Sequence, residues 1–282
     1  MLLRELVAHA VEKFESAQIH SARVDAELLA GHVLKLNRGE VQAAMISGVE
    51  LDESQSKLFT ELAARRFARE PLQHLTGIAY FRQLELNVGK GVFIPRPETE
   101  TVTQLAIDAL NSSELENPIA VDLGTGSGAI ALSLHVEVPK AKVHAIEKSE
   151  DAFDFTKRNF EKYAGAELVL GDLADSFNAL NGSVSVVISN PPYIPNSMVP
   201  IDPEVHLHEP SLALYGGEDG LDVIRVLSTV AKRLLLKGGM LVIEHADTQS
   251  VMVCELLLAE GWRDVRAYQD LTGKDRAVSA IH

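Results

Sequence analysis

The chain has 282 residues, 26 basic against 40 acidic side chains for a formal net charge of −14, and 46% hydrophobic residues. That suits one large or two ordinary domains, offers no run of about 18 apolar residues to span a membrane, and argues against a protein built to grip a nucleic-acid backbone. One cysteine, Cys254, excludes an internal disulfide and fits a reducing cytoplasm.

In chain order, Met1-Leu2-Leu3-Arg4-Glu5-Leu6 alternates charge and lacks a signal-peptide core. Leu2, Leu3, Leu6, Val7, Ala10, Val11 and Phe14 fall on one helical face. Ala26, Leu29, Ala30, Val33 and Leu34 suggest a second helix, and a third begins near Glu53 with Leu58, Leu62 and Phe67 inside it. Residues 1–77 therefore read as a small helical bundle. Residues 1–80 hold nine basic and eleven acidic side chains, while the remainder holds seventeen and twenty-nine. A helical region ahead of a catalytic domain suggests substrate docking, although a stabilising cap would look the same. Residues 78–94 alternate apolar and polar through Ile78, Tyr80, Leu84, Leu86 and Val88, and predict a β-hairpin linker with Gly89 and Gly91 as turn residues. Pro97 then opens a helix with Val102, Leu105, Ala106 and Ala109 on one side. Residues 95–282 read as the catalytic domain.

From residue 118 the pattern is β-α repeated, which implies a doubly wound, mostly parallel sheet covered by helices. Strands are expected near 119–123, 142–147, 167–170, 184–189 and 240–244, and helices near 128–136, 151–163, 220–236 and 248–260. The tail, Trp262 to Tyr268 and Arg276 to Ile281, reads as an antiparallel hairpin at the sheet edge. Cys254, among Val251, Val253, Leu256 and Leu257, reads as a packing residue. Metal-ligand spacing is absent; His206 and His208 read as lining a loop.

Chemistry enters at strand ends, where such sheets bind ligands. After Val121-Asp122-Leu123 comes Gly124-Thr125-Gly126-Ser127-Gly128, a turn whose glycines permit close backbone approach and whose following helix start favours a carboxylate. Glu147 ends the next strand, about twenty residues on, where an acid binds ribose hydroxyls. Gly171-Asp172-Leu173 ends a third. The run 184–189 ends in Asn190-Pro191-Pro192-Tyr193. The two prolines stiffen this turn, hold Asn190 and Pro191 extended, and donate no main-chain hydrogen bond. The carbonyls and the Asn190 side-chain oxygen are thus free to grip a planar –NH2 group, and Tyr193 supplies an aromatic face.

These motifs resemble those of class I S-adenosylmethionine-dependent methyltransferases that modify planar nitrogens. More of the chain is similar to one family, the HemK/PrmC release factor glutamine N5-methyltransferases. The likeness includes Gln73-His74-Leu75-Thr76-Gly77, Phe93-Ile94-Pro95-Arg96-Pro97-Glu98-Thr99-Glu100, Glu209-Pro210, Leu214 to Leu221, Glu244-His245 with Gln249, and Asp270, Gly273 and Asp275-Arg276. Ala246 and Gln83 depart from it, where glycine or a small residue is common. The resemblance implies that Gly124 to Gly128 wrap the methionine part of S-adenosylmethionine, that Glu147 takes the ribose, and that Asp172 or the Leu173 backbone meets the adenine. It implies that Asn190 and the Pro191 carbonyl, with Pro192 and Tyr193 completing the motif, hold the glutamine of a Gly-Gly-Gln tripeptide in a peptide chain release factor, an event of translation termination. No metal is implied, nor direct nucleic-acid or membrane binding. A ribosomal-protein glutamine is the nearest alternative acceptor. A nucleic-acid adenine N6 is a more distant one, and a non-catalytic scaffold would have no need of both motifs.

Overall fold

The computed structural model describes residues 1–282. The chain divides into two compact units. One comprises Met1–Ile78 with Ile201–His208, the other Ala79–Pro200 with Glu209–His282.

The first unit contains α1 (Leu3–Ser16), α2 (Ala22–Leu34), α3 (Arg38–Ser47), α4 (Glu53–Phe67) and the short α5 (Leu72–Thr76). Leu3, Leu6, Val7, Ala10 and Phe14 of α1 meet Ala26, Leu29 and Ala30 of α2 and Phe59 and Leu62 of α4 in one core. Both α3 and α4 begin in reciprocal capping boxes, Asn37 with Glu40 and Asp52 with Gln55, which satisfy the first backbone N–H groups. Helix α3 escapes the apolar-spacing criterion because it buries only Val41 and Ala44. Helix α4 is rotated from the expected face. Leu58 and Phe67 are exposed, while Phe59, Leu62, Ala63 and Arg66 point inward. His206 and His208 sit on a short helix over Pro203–His208 (α9 in chain order) rather than on a loop.

The second unit opens with β1 (Ile78–Phe81) and β2 (Leu84–Asn87), a two-stranded sheet. Its turn is Arg82–Gln83, with Arg82 at φ 49°, and not the expected glycines. Gly89 follows β2 and is needed for packing: a Cβ there would lie 2.7 Å from the Phe155 ring. After α6 (Pro97–Ser112) come β3 (Ile119–Leu123), α7 (Ala129–Glu137), β4 (Lys142–Glu147), α8 (Glu150–Lys162), β5 (Glu167–Leu170) and β6 (Val184–Ser189). Then follow α10 (Asp222–Leu234), β7 (Leu235–Glu244), α11 (Ser250–Ala259), β8 (Arg263–Gln269) and β9 (Asp275–Ile281). The seven-stranded sheet has the order β5-β4-β3-β6-β7-β9-β8. The first five strands run parallel and the β8–β9 hairpin runs antiparallel. This is the class I methyltransferase fold. Strand β7 starts at Leu235, earlier than the apolar run, because Gly238 at φ 86° lets the chain bulge between the Val184–Leu235 and Val186–Met240 pairs.

The order reverses between β3 and β6. From β3 the chain winds toward β4 and β5, and from β6 toward β7. A cleft opens at the carboxyl ends of strands at such a switch point. The β3 and β6 pairing, Asp122 opposite Ile188, delivers the glycine turn and Asn190 side by side. No helix is long and apolar enough to cross a membrane.

Candidate active site

All three glycines of the turn after β3 take left-handed backbone, with φ of 77° at Gly124, 57° at Gly126 and 86° at Gly128. Their surroundings differ. A Cβ on Gly128 would strike Phe160 at 2.8 Å, so that glycine serves packing. A Cβ on Gly124 or Gly126 would meet nothing within 4 Å, so the backbone there borders open space. The turn is anchored from below by Asp122, which is fully buried and accepts from Thr125 Oγ1 at 2.6 Å and from Ala131 N at 3.2 Å. Asp122 Oδ1 has no hydrogen-bond partner. Burial, opposed by those two bonds, pushes its carboxyl up to about 7. Ser127, itself buried, gives its carbonyl to Asn159 Nδ2 at 2.9 Å.

Glu147 closes the turn. Its Oε2 accepts from Gly126 N at 2.7 Å, and its Oε1 from Lys148 N and Ser149 N at 2.9 and 2.8 Å. A carboxylate offers about four acceptor sites, so one remains for a hydroxyl donor after these three. Asp172, at the end of β5, caps a 3-10 turn by accepting from Ala174 N at 3.0 Å and pairs with Lys148 at 2.9 Å. Leu173 opens that turn, so its N–H lacks an intrahelical partner. The geometry therefore links Gly126, Glu147, Lys148 and Asp172 in one continuous wall.

On the other side, Ser189 Oγ donates to the Leu123 carbonyl at 2.5 Å and locks the end of β6 against the glycine turn. Asn190 is half-buried, and its Nδ2 donates to Thr99 Oγ1 at 3.3 Å. No group in the chain donates to the Pro191 carbonyl. The Tyr193 carbonyl accepts from Gln249 Nε2 at 2.8 Å, and Gly220 packs against it so closely that a Cβ would fall 2.3 Å from the oxygen. This stiffens the proline turn beyond what proline alone provides. The Tyr193 ring is half-buried. Burial first, then the nearby Glu244 charge, pushes its phenol well above the usual range.

Two neighbours of Asn190 are not singled out by the chemistry of the sequence motifs: Thr99 at the start of α6 and Glu244 at the end of β7, the latter also under the charge of Arg276 on β9. The usable signal was the position of Glu244 at a predicted strand end, the same rule that selected Glu147. Glu244 is 1% exposed, its Oε2 has no partner, and burial pushes its carboxyl up to about 7.

The wall suits a ligand with an amino-acid end, a ribose and a base. Open space lies over Gly124 and Gly126, a lone-pair site remains on Glu147, and a free N–H stands at Leu173. These features fit S-adenosylmethionine.

The PrmC N-terminal domain model matches residues 5–77, and the methyltransferase small domain model matches residues 83–201. The release factor glutamine methyltransferase of Streptomyces coelicolor is 48% identical over 99% of this chain and 98% of its own length. A 4-amino-L-phenylalanine/4-methylamino-L-phenylalanine methyltransferase of Streptomyces pristinaespiralis is 39% identical over 86% of this chain and 81% of its own. Among solved structures, the hMettl16 catalytic domain in complex with the MAT2A 3'UTR hairpin 6 shares the fold, with a TM-score of 0.55 and 14% identity over 82% of both chains.

Proposed function

Because the chain belongs to the release factor glutamine methyltransferase family, we propose that it moves a methyl group from S-adenosylmethionine to the side-chain amide nitrogen, N5, of the Gly-Gly-Gln glutamine in peptide chain release factors. The observation that carries this reading is the full-length likeness at 48% identity, which takes in the helical unit as well as the sheet. The aminophenylalanine enzyme is similar over a smaller share of the chain. The likeness to the hMettl16 domain concerns the fold alone. The strongly acidic chain also gives little support to a nucleic-acid substrate. The reaction belongs in the cytoplasm, where release factors act and where a lone cysteine stays reduced.

The geometry supports a role for each residue of the two motifs. Gly124 to Gly128 form the backbone cradle for the methionine portion, Glu147 receives the ribose hydroxyls, and Asp172 with the Leu173 N–H borders the adenine. S-adenosylmethionine supplies an activated methyl group on a sulfonium. The chain's own task is to aim a poor nucleophile, since an amide nitrogen shares its lone pair with its carbonyl. Asn190 Oδ1 and the Pro191 carbonyl accept the two N–H groups of the glutamine and orient its nitrogen toward the glycine turn. Two acceptors also favour the positive charge that develops on nitrogen, and holding the reactants together removes an entropic barrier. Pro192 and the Gln249 bond keep this turn rigid, and the Tyr193 ring packs against the flat amide. Residues 1–77 dock the body of the protein substrate.

The test offers labelled S-adenosylmethionine with release factor, ribosomal protein, DNA and 4-aminophenylalanine in parallel. The expected outcome is label on release factor, with one added methyl mapped to the glutamine by digestion and mass spectrometry. Label on another acceptor in preference, or on another residue of the release factor, overturns the reading.

A further inference from the structure

Strands β6 and β7 run parallel with Ser189 opposite Ile243. The next residue on each strand, Asn190 and Glu244, is therefore brought to the same edge of the cleft. Glu244 is buried beneath Asn190 and Thr99, and both are near enough to hydrogen bond to its carboxyl. Asn190 Nδ2 also donates to Thr99 Oγ1 at 3.3 Å, and Thr99 is 3% exposed. One buried acid, one buried hydroxyl and one half-buried amide thus form a single chain of contacts ending at the gripping atom.

The two ends of an amide are nearly identical in shape, so packing alone does not decide which faces the acceptor. Nor does Thr99, because a hydroxyl both donates and accepts. A carboxylate accepts only. Accepting hydrogen bonds from the Thr99 hydroxyl and from an Asn190 N–H, the Glu244 carboxylate would give these contacts one direction. We propose that Glu244 is a positioning residue that turns the Asn190 –NH2 inward and so presents the Asn190 oxygen to the amide nitrogen being methylated. Without it, a flipped Asn190 would point its own –NH2 at the substrate –NH2, donor against donor. This inference rests on the methyl-transfer reading above and explains why an acid with an orphaned oxygen is kept in the floor of the site. A buried polar atom without a partner costs stability and calls for a functional reason.

Protonation should matter. Burial pushes the Glu244 carboxyl up to about 7, opposed by the Thr99 bond. Arg276 on β9 pulls it down, Glu98 on α6 pushes it up, and the Asn190 bond favours the charged form. The Tyr193 phenol nearby stays protonated across this range, and burial holds the adjacent His245 imidazole below its ordinary value. A protonated carboxyl gains an O–H donor, and the direction of the Asn190 amide is then no longer imposed. Turnover should therefore fall on the acid side of neutrality.

The experiment uses the full chain and its release factor in single-turnover methylation across pH, with S-adenosylmethionine affinity and thermal unfolding measured beside it. Glu244→Leu removes the acceptor at similar volume. The expected result is a turnover loss of roughly tenfold or more, with cofactor affinity unchanged and the unfolding midpoint equal or higher, since a costly buried charge is gone. Glu244→Gln is isosteric with the protonated acid and carries a donor as well as an acceptor. It should hold turnover near the low-pH level of the wild type at every pH and lose the acid limb. Thr99→Val should also lower turnover without loss of cofactor affinity. Wild-type turnover in Glu244→Leu, or an unchanged acid limb in Glu244→Gln, overturns the inference while leaving the proposed reaction intact. A parallel fall in cofactor affinity overturns it too, because Glu244 would then act on the other wall. A wild-type chain that does not methylate release factor overturns the substrate reading and this inference together.

Discussion

The helical unit pairs every charged side chain it buries, whereas the sheet unit, which pairs Glu147 and Glu209, leaves two others partly unpartnered. In the helical unit the three buried charged side chains, Asp25, Glu27 and Arg66, are fully engaged. Arg66 Nε donates to Asp25 at 2.7 Å, its Nη2 to Glu204 at 2.7 Å, and its Nη1 to the Glu70 carbonyl at 3.1 Å. Burial pushes the Glu27 carboxyl up, but Arg38, Gln42 and Arg23 outweigh it and hold Glu27 below its ordinary value. In the sheet unit, Asp122 and Glu244 are as deeply buried, yet each keeps one oxygen without a partner, and each is pushed up to about 7. The ion-paired charges of the helical unit serve the fold. An orphaned acid at a strand end points to a site, because perturbed acids gather where ligands bind.

The largest effect should come from breaking the paired side of this contrast. Arg66→Met leaves Asp25 buried with no cation, and should cost about 3–5 kcal/mol of stability in the helical unit. Urea unfolding followed by a probe in residues 1–77 would measure it. Adding Asp25→Leu should restore most of the loss, because both charges are then gone. Failure of that rescue would mean that Arg66 matters chiefly through Glu204.

Next in size is the acceptor grip. Asn190→Ala should leave the fold and most cofactor affinity in place and lower turnover by roughly 10²–10³-fold, as for the loss of one preorganised polar contact at a reacting centre. Single-turnover methylation reads this directly. Full turnover in the folded variant would move the grip to another residue.

Much of this contrast was legible in the sequence, and the omissions have a common cause. Strands 119–123, 142–147 and 184–189 fall where expected because they are apolar runs buried largely on both faces, and the half-exposed edge strand 167–170 falls where its short apolar run placed it. The glycine turn and the Asn190 turn were legible because glycine and proline constrain backbone locally. Pairings that depend on topology were not. Asp25 and Arg66 are far apart in the chain and nothing local joins them. Segment 201–208 belongs to the helical unit through Glu204 and Asp202, which meet Arg66 and Arg69. The closeness of Glu244 to Asn190 follows from β7 lying beside β6, and only the sheet order reveals it.

A smaller effect sharpens the orphaned side. The Asp122 carboxyl has a folded value near 7 against 3.8 when exposed. Between those values the folded chain binds the proton that the unfolded chain releases. The Asp122 contribution is therefore most favourable below about pH 4, declines as pH rises to 7, and stays unfavourable above. Asp122→Asn abolishes this dependence. It should raise stability at pH 8 by an amount on the order of 2 kcal/mol and change it little at pH 4. Equal shifts at both pH values would show that the substitution acts through packing.

The smallest effect should be at Asp172, and it tests whether pairing distinguishes structural acids from ligand-binding ones. Asp172 lies two residues beyond β5, whereas Glu147 and Glu244 end their strands, and it is exposed and already paired with Lys148 and the Ala174 N–H. The Ala174 bond first, then Lys148, holds its carboxyl below the ordinary range, so it is ionised and occupied whether or not a base lies beside it. An exposed ion pair is worth about 0–1 kcal/mol. Asp172→Ala should therefore weaken S-adenosylmethionine binding by no more than about fivefold, because the Leu173 N–H remains to meet the adenine. Calorimetric titration decides the matter. A loss well beyond that range would make Asp172 the principal adenine contact and show that a paired, exposed acid can carry a binding site. A small loss would leave the adenine edge to the backbone and reserve the term functional acid for carboxylates whose burial the fold itself does not repay.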